Sequence, residues 1–256
     1  MLGPLKANFA YCVAFSPDGS RIAAGLGDNT TRILIWNAVT GEIVGTLKGH
    51  TSTVYCVDFS PDGSKLVSGS SDHMVWIWHA ENGRSKLGPI KGHTDYVRSV
   101  AFSGDGKRIA SSSNKEMMVR NAKTGDLLWK ASPETIPHFI GFSPDAQTVV
   151  TARSSTVLVW DADKGTRVER DAKCIPAVQF TSSAGIHYNT ALSPDGRWPA
   201  DRTRNEVRIF DIQTGQAVDA YQHTGNVESV AFSPDSKRVL SASYDTTIQV
   251  YTLECY

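Results

Sequence analysis

Phe59-Ser60-Pro61-Asp62-Gly63 is one of six related stretches that divide this 256-residue chain into repeats. The stretches begin 40 to 50 residues apart, and the six repeats take up the whole sequence. We expect a tight turn at each stretch, because proline favours the backbone angle that a turn requires and Asp and Gly are frequent turn residues. The other five are Phe15-Ser16-Pro17-Asp18-Gly19, Phe102-Ser103-Gly104-Asp105-Gly106, Phe142-Ser143-Pro144-Asp145-Ala146, Leu192-Ser193-Pro194-Asp195-Gly196 and Phe232-Ser233-Pro234-Asp235-Ser236.

Short apolar segments lie on both sides of each turn. In the third repeat, residues 97–102 precede the turn and residues 107–111 follow it, and both have the composition of a strand. A third segment alternates most clearly at residues 31–36, and a second turn follows at Thr40-Gly41. Four strands in each repeat, without helical periodicity, predict an all-β fold. We expect a single closed β-propeller of four-stranded antiparallel blades.

The spacing of the repeats favours six blades and leaves seven open. One interval is 50 residues long, which leaves about one strand in excess at residues 172–191. This irregular insertion is either an added hairpin in the fifth blade or the remnant of a seventh blade. Residues 1–256 are expected to form one domain.

The first strand of several repeats has an irregular apolar pattern. Its apolar residues are spaced by three and then by two positions, as in Val97, Val100 and Phe102. A β-bulge shifts the alternation of a strand by one residue in this way. The same pattern begins at Val54 and Val227, so we predict a bulge in repeats two, three and six.

Four polar and aromatic residues recur at fixed offsets around these strands. Gly49-His50, the segment 68–72 and Trp78 together resemble the WD-repeat family over essentially the whole chain. The resemblance implies a structural hydrogen-bond chain of His, Ser, Asp and Trp within a blade, and a set that recurs by blade is not a catalytic triad. Its members are His50, Ser68, Asp72 and Trp78 in repeat two, and His223, Ser241 and Asp245 in repeat six, with Tyr251 at the Trp offset.

Repeat three departs from this pattern at two of the four offsets. Repeat three keeps His93 and Ser111 but has Lys115 at the Asp offset and Asn121 at the Trp offset.

The sequence ends at a third strand, and the resemblance implies that residues 1–6 supply the missing fourth strand of the last blade.

The resemblance also implies a binding face around the central channel, at the bulged positions and at the residue before each blade Asp. Tyr and Arg, which are frequent there in this chain, are enriched at binding hot spots. We therefore expect a non-catalytic scaffold for a protein or peptide. A small-molecule or glycan sensor in a larger signalling protein is the alternative, and an enzyme using the channel mouth ranks third. The face consists of Phe9, Tyr11, Tyr55, Tyr96, Arg98, His138, Tyr188, Glu228 and Tyr244.

The composition argues against several other functions. Lys plus Arg and Asp plus Glu are 26 each, so the chain lacks the basic field on which non-specific nucleic-acid binding depends. Four scattered cysteines fit neither a disulfide framework nor a zinc site, and the first residues do not resemble a signal peptide. We expect a monomeric, cytoplasmic chain, with the nucleus as the alternative location, and without a metal, a cofactor or a membrane-spanning segment.

Overall fold

A computed structural model describes residues 4–27, 32–132, 137, 139–143, 145–153, 156–168, 191–193, 198–202, 204–210 and 217–253. Within these ranges the regular secondary structure consists of β-strands, without a helix. The strands pair antiparallel, and five of the six sheets that they form have four strands. The prediction of an all-β chain of four-stranded antiparallel sheets is therefore confirmed.

The sheets of the first three repeats each contain four consecutive strands, and one further strand precedes them. That strand is β1 (Leu5–Lys6). The three sheets have the strand orders β2-β3-β4-β5, β6-β7-β8-β9 and β10-β11-β12-β13. Their strands are β2 (Ala10–Phe15), β3 (Arg21–Leu26), β4 (Arg32–Asn37), β5 (Ile43–Lys48), β6 (Val54–Phe59), β7 (Lys65–Ser70), β8 (Val75–His79), β9 (Ser85–Ile90), β10 (Val97–Phe102), β11 (Arg108–Ser113), β12 (Met117–Asn121) and β13 (Leu127–Ala131).

The sheets of the last three repeats are less uniform. Their strand orders are β14-β15-β16, β17-β18-β19-β20 and β1-β23-β22-β21, so the last sheet includes the strand nearest the N-terminus. Of the insertion expected at 172–191, only Ala191 is described. The strands are β14 (Phe139–Phe142), β15 (Thr148–Arg153), β16 (Thr156–Asp161), β17 (Ala191–Leu192), β18 (Pro199–Arg202), β19 (Glu206–Phe210), β20 (Ala217–Gln222), β21 (Val227–Phe232), β22 (Arg238–Ser243) and β23 (Thr247–Thr252).

The chain divides into two compact units. The first contains the described residues within 1–57 and 189–256, and the second contains those within 58–188. In the first unit, apolar side chains of repeats one and six form one buried cluster, which includes Ile22, Trp36 and Leu240. In the second unit, Val119, Trp129 and other residues of repeats three and four form another. Each of these two cores thus lies between two sheets that pack against each other.

The N-terminal strand is anchored by its pairing and by burial. Leu5 pairs with Ile248 and Lys6 with Thr247, and the backbone N–H of Ala7 donates to the carbonyl of Thr246 at 3.0 Å. Leu5 and Ala7 are buried in the same cluster as Ile248. This pairing covers one edge of β23, which would otherwise present unpaired backbone groups.

The Ser-Pro-Asp-Gly turns are held by a repeated set of side-chain hydrogen bonds. In the first turn the Ser16 hydroxyl donates to Asp18 Oδ1 at 2.5 Å and accepts from the N–H of Arg21 at 2.9 Å. Gly19 adopts a left-handed conformation with φ of 66°. Hydrogen bonds from Ser16 and Ser20 lower the pKa of Asp18 to about 2. The turn prediction from the sequence is confirmed at these residues.

Two turns place a residue with a side chain where the others have glycine, and one of them provides a stability test. Ser236 has φ of 59°, a left-handed conformation that is costly for residues other than glycine. We expect Ser236→Gly to raise the free energy of unfolding by roughly 0.5 kcal/mol, since the relieved strain exceeds the added unfolded-state entropy. The equivalent Gly19→Ala should lower it by ~1 kcal/mol. Urea unfolding would measure both, and a destabilised Ser236→Gly protein would contradict the expectation.

The predicted bulges occur in the first strands. The register shifts between Val97 and Ser99 in repeat three and between Val227 and Ser229 in repeat six, which confirms the prediction for these two repeats. Repeat one has the same shift between Ala10 and Cys12, at the offset where the family resemblance places Tyr11. In each case the extra residue is turned out of the regular alternation.

Candidate functional site

The bulges determine which side chains of the first strands point away from the buried cores. The extra residue is Tyr11 in repeat one, Arg98 in repeat three and Glu228 in repeat six. All three are partly exposed, whereas the residues on either side of Tyr11 are buried. Three of the nine predicted face residues are therefore bulge residues.

Four aromatic residues of the first compact unit lie together, and we refer to Phe9, Tyr11, Tyr55 and Tyr244 as the aromatic cluster. The Tyr11 ring contacts Tyr55 and Tyr244, with centroid distances of 5.4 and 5.6 Å. The Phe9 ring lies 6.4 Å from that of Tyr244. All three pairs are edge-to-face, an arrangement that the charge distribution of aromatic rings favours. Phe9 is 49% exposed and Tyr244 is 37% exposed, so the cluster is open to solvent.

The backbone around the cluster is shaped to hold these rings. Gly27 lies beneath the Tyr11 ring, because a Cβ at this position would be 2.2 Å from Tyr11 Cε2. Phe9 has φ of 51°, and its carbonyl accepts a hydrogen bond from the N–H of Gly27 at 2.9 Å. A left-handed conformation is a true outlier for a bulky residue. Sequence reasoning identified the rings but neither this strain nor the role of Gly27.

The Glu228 carboxylate acts on one ring of the cluster. Burial and a hydrogen bond with Tyr11 raise the pKa of Tyr244, and the nearby carboxylate of Glu228 raises it further. The Tyr244 hydroxyl therefore stays protonated at neutral pH and can serve as a hydrogen-bond donor. Glu228 belongs to the predicted face and is the extra residue of the β21 bulge.

A second group of predicted face residues lies in the second compact unit. The Arg98 guanidinium stands over the Tyr96 ring, 5.7 Å from its centroid, and Arg98 Nε donates to Asn114 Oδ1 at 3.2 Å. The Asn114 amide donates in turn to Asp95 Oδ1 at 3.1 Å. The His73 ring lies 5.7 Å from that of Tyr96. His138 and Tyr188, the remaining two residues of the predicted face, lie outside the described residues.

The polar residues that recur in the repeats form buried hydrogen bonds. His223 lies 2.8 Å from Asp245 through Nδ1 and 2.7 Å from Ser241 through Nε2. Burial alone would raise the pKa of Asp245, but hydrogen bonds from Thr247 and His223 outweigh it and bring the pKa down to about 2.

Repeat two shows part of the same arrangement. Trp78 Nε1 donates to Ser68 Oγ at 2.9 Å, and Asp72 Oδ1 accepts from the N–H of Met74 at 2.9 Å. His50 is buried. These groups satisfy one another inside the sheets, where an unpaired polar group is costly.

A model of the family described as "WD domain, G-beta repeat" matches residues 4–36, 41–79, 84–120 and 215–252, which is more than half of the chain. The chain belongs to the WD-repeat family. The four matched segments correspond to repeats one, two, three and six, the repeats with a first strand of six residues.

Two of three relatives of this WD-repeat chain are subunits of larger assemblies by name. It is 25% identical over 243 residues to a guanine nucleotide-binding protein subunit beta of Oryza sativa subsp. indica, which covers 94% of this chain and 54% of the relative. It is 30% identical over 113 residues to the target of rapamycin complex subunit LST8-1 of Arabidopsis thaliana, covering 41% and 34%. It is 35% identical over 78 residues to periodic tryptophan protein 2 of Saccharomyces cerevisiae, covering 29% and 8%. The aligned parts thus span about half of these relatives or less.

Repeat three of the WD-repeat chain corrects one expectation from the sequence. Ile109 pairs with Arg120 just as Leu66 pairs with Trp78, so Arg120 and not Asn121 occupies the Trp position. The cause is a β11–β12 turn that is one residue shorter than that of repeats two and six, which shifts every later offset. Arg120 is buried and donates to the carbonyls of Lys91 and Gly125 at 2.9 and 3.0 Å.

The same short turn also changes which residue supplies the carboxylate of repeat three. Glu116 and not residue 115 supplies it, since Glu116 Oε1 accepts from the N–H of Thr94 at 2.7 Å, as Asp245 does from Thr224. Burial opposes ionisation of Glu116, but contacts with Lys130 and Thr94 lower its pKa. Burial lowers the pKa of His93 to about 4. His93 is therefore neutral at physiological pH.

One partly buried carboxyl group was not singled out from the sequence. Asp58 Oδ2 accepts from the N–H of Phe102 at 2.8 Å, which links two sheets of the second compact unit. Ser229 and Ser99 make comparable bonds to the N–H groups of Val13 and Ile140. Burial raises the pKa of Asp58 to about 7. The other five first strands have a small residue at this position, so the signal in the sequence was one charged residue among small ones. These are Ala14, Ala101, Gly141, Ala191 and Ala231.

Neither a metal centre nor a membrane helix is found in the part of the chain that the structure describes. No three His, Cys, Asp or Glu side chains there come close enough together to hold a metal ion. The described residues also contain no helix with the length and apolar character needed to cross a membrane.

Proposed function

We propose that this chain is a non-catalytic scaffold that binds a protein or peptide partner through the predicted face. The aromatic cluster is the observation that carries the proposal. It holds Phe9 and Tyr244 half in solvent, although large apolar side chains normally gain stability by burial. Two relatives are named as subunits of multi-protein assemblies, which supports the same function.

The recurring polar residues support a non-catalytic role. The contacts of Ser241, His223 and Asp245 resemble a triad, but the equivalent Ser68 of repeat two accepts a hydrogen bond from the buried Trp78. A catalytic serine needs an accessible hydroxyl next to a general base. Ser68 and Ser241 are both fully buried.

We further propose that the six repeats form one closed propeller of six blades over residues 1–256. The pairing of β1 with β23 supports closure, because it joins the two ends of the chain in one sheet. A closed ring leaves only short, protected sheet edges and gives the face a rigid support. We expect this propeller to be monomeric and cytoplasmic.

Affinity capture with matched variants tests the proposed function. We expect Phe9→Asn with Tyr55→Ala, or Tyr96→Ser with Arg98→Ala, to reduce a captured partner at least tenfold without changing the melting temperature by more than a few degrees. Val39→Ala with Ile43→Ala is the control, since these exposed apolar residues lie outside the predicted face. Undiminished capture by both face variants would place the interaction elsewhere. Thermal stabilisation by a metabolite or sugar, lost in the same variants, would favour a ligand sensor.

A further inference from the structure

Basic side chains collect where repeat two packs against repeat three, within the second compact unit. We refer to these residues as the basic seam, which consists of Lys65, His79, Arg84, Lys86 and Lys123. We propose that the basic seam is a second docking surface, which binds a segment of a partner protein that is rich in Asp and Glu. This inference goes beyond the proposed function, because it concerns other residues than the predicted face.

Three residues of the basic seam form a row across the sheet of repeat two. Lys65 at the start of β7 pairs with His79 at the end of β8, and the His79 N–H donates to the carbonyl of Arg84 at 2.9 Å. Residues opposite each other on antiparallel strands have neighbouring side chains on one face of the sheet. Lys86 follows on β9 as the extra residue of a bulge. Lys65 is partly buried and the other three are exposed, so basic groups line this end of the sheet.

The turn of repeat three that carries Lys123 packs against the same face. Leu87 pairs with Ile77, which lies two residues before His79 and therefore on the same face of the sheet. A Cβ at Gly125 would be 2.8 Å from Leu87 Cδ2, so the β12–β13 turn lies directly against β9. Lys123 is exposed in this turn. Repeat three thus adds a further positive charge beside the row.

The contact between repeats three and four shows how a cation is balanced at this position. Arg108 is the counterpart of Lys65, and its guanidinium lies 2.5 Å from Asp163 Oδ1 and 5.6 Å from the centre of the Phe142 ring. Asp163 is the counterpart of Lys123, because the N–H of each donates to the side chain that begins its turn. The basic seam therefore has a lysine where the next repeat supplies a carboxylate.

The positive charges of the basic seam are not balanced by nearby carboxylates. In the described part of the chain, its three lysines and Arg84 belong to no ion pair. The Lys65 charge acts on Asp62, but this carboxylate already accepts hydrogen bonds from two serines of its own turn. Glu81 in the β8–β9 turn corresponds to Asp163, which contacts the repeat before its own. We therefore expect Glu81 to point away from repeat three.

Protection of a sheet edge does not account for these residues. β9 is the outermost strand of its sheet, and charges on such a strand discourage pairing with another chain. The bulge residues of β5 and β13 that correspond to Lys86 are, however, the exposed apolar residues Val44 and Leu128. The fold therefore does not require a charge at this position.

The chemistry of the basic seam favours an acidic polypeptide over a nucleic acid. Carboxylates form charge-assisted hydrogen bonds with both arginine and lysine. Non-specific nucleic-acid binding depends on a broad positive field, whereas this chain has 26 basic and 26 acidic residues. Single strands also stack on aromatic rings. The most exposed aromatic residues in the described ranges are not part of the basic seam, and they are Phe9, Tyr96, Phe139 and Tyr244.

Fluorescence anisotropy with the full chain tests the proposal. The probe is an amidated hexaglutamate peptide with an N-terminal fluorescein, and hexaglutamine with the same label is the uncharged comparison. We expect saturable binding of one hexaglutamate per chain, which weakens as salt is added. Hexaglutamine should bind at least tenfold more weakly. Phe9→Asn with Tyr55→Ala should leave the affinity unchanged, because the predicted face is a separate surface.

Two pairs of variants locate the site. Lys123→Asp, which introduces the carboxylate found in repeat four, should weaken hexaglutamate binding at least tenfold. Lys48→Asp makes the same change in net charge at an exposed position of the first compact unit and should have less than a twofold effect. Arg84→Ala with Lys86→Ala should weaken binding at least fivefold, and Lys48→Ala with Lys237→Ala is its control. All these side chains are exposed, so we expect unchanged melting temperatures.

Three results would overturn the proposal. One is the absence of saturable binding, and another is equal weakening by the basic-seam variants and their controls. The third is tighter binding of a single-stranded oligothymidylate of equal charge that is lost in Lys123→Asp, which would make the basic seam a nucleic-acid site. The proposed scaffold function of the predicted face does not depend on any of these results.

Discussion

Removing residues 1–7 should lower the free energy of unfolding by roughly 4 kcal/mol and the melting temperature by on the order of 10 °C. The deletion removes buried Leu5 and Ala7 and the pairing of β1 with β23. Burial of a leucine contributes about 2 kcal/mol, and each lost hydrogen bond adds about 1 kcal/mol. The exposed edge of β23 should also make the shortened protein prone to aggregate. Circular dichroism melting and light scattering would measure both effects.

Two single substitutions separate the contributions to this loss. Leu5→Ala should account for about half of it, since it removes the buried side chain but leaves the backbone pairing. Lys6→Ala should change little, because the Lys6 side chain is exposed. A shortened protein that melts within 2 °C of the full chain would contradict the account of β1 as a structural strand.

Asp58→Asn should stabilise the protein at pH 8 by roughly 2 kcal/mol and leave its stability at pH 4 unchanged. The native state of the parent protein keeps a proton on Asp58 up to about pH 7, whereas the unfolded state releases it near pH 4. The contribution of this group to the free energy of unfolding therefore falls as pH rises from about 4 to about 7. Asparagine cannot ionise and keeps an oxygen for the N–H of Phe102.

The size of this effect follows from the pKa and from partial exposure. A pKa of about 7 in place of 3.8 sets an upper limit of ~4 kcal/mol, which we halve because Asp58 retains some contact with solvent. His93 acts in the opposite direction, because its lowered pKa makes stability rise with pH between about 4 and 6.5. Its contribution is common to both proteins and cancels in their difference.

Urea unfolding at pH 4, 6 and 8 would measure that difference. Asp126→Asn, at an exposed position in the β12–β13 turn, is the control and should show no gain that grows with pH. If Asp58→Asn stabilised the protein equally at pH 4 and pH 8, desolvation of the ionised carboxylate would not be the cause.

The repeats allowed much of the local structure to be predicted, because each turn and each bulge depends on residues that are close together in the sequence. The Ser16-Pro17-Asp18-Gly19 turn closes through its own side chains, and the spacing of Val97, Val100 and Phe102 reports a bulge within a single strand. The aromatic cluster could be predicted only as a set of positions. Its ring contacts join repeats one, two and six, and they depend on Gly27 and on the conformation of Phe9.

The error in repeat three has a different origin. Offsets counted forward from His93 cross the β11–β12 turn, which is one residue shorter than in repeats two and six. These offsets therefore place Asn121 at the Trp position. Counting back from the next turn gives the correct answer, since Asn121-Ala122-Lys123-Thr124-Gly125 matches Asn37-Ala38-Val39-Thr40-Gly41. Asn37 and Asn121 both accept from the backbone of their turns, which makes Arg120 the counterpart of Trp36.

The central claim is that the face containing the aromatic cluster contacts a protein partner, and site-specific photo-crosslinking tests it most directly. Benzoylphenylalanine would replace Tyr55 in the cluster and, in a separate protein, Ile43 on the exposed strand β5. In extracts of cells that express the chain, we expect a discrete protein adduct from position 55 that disappears with Phe9→Asn, and none from position 43. An adduct from position 43 alone, or an adduct from position 55 that persists with Phe9→Asn, would contradict the claim.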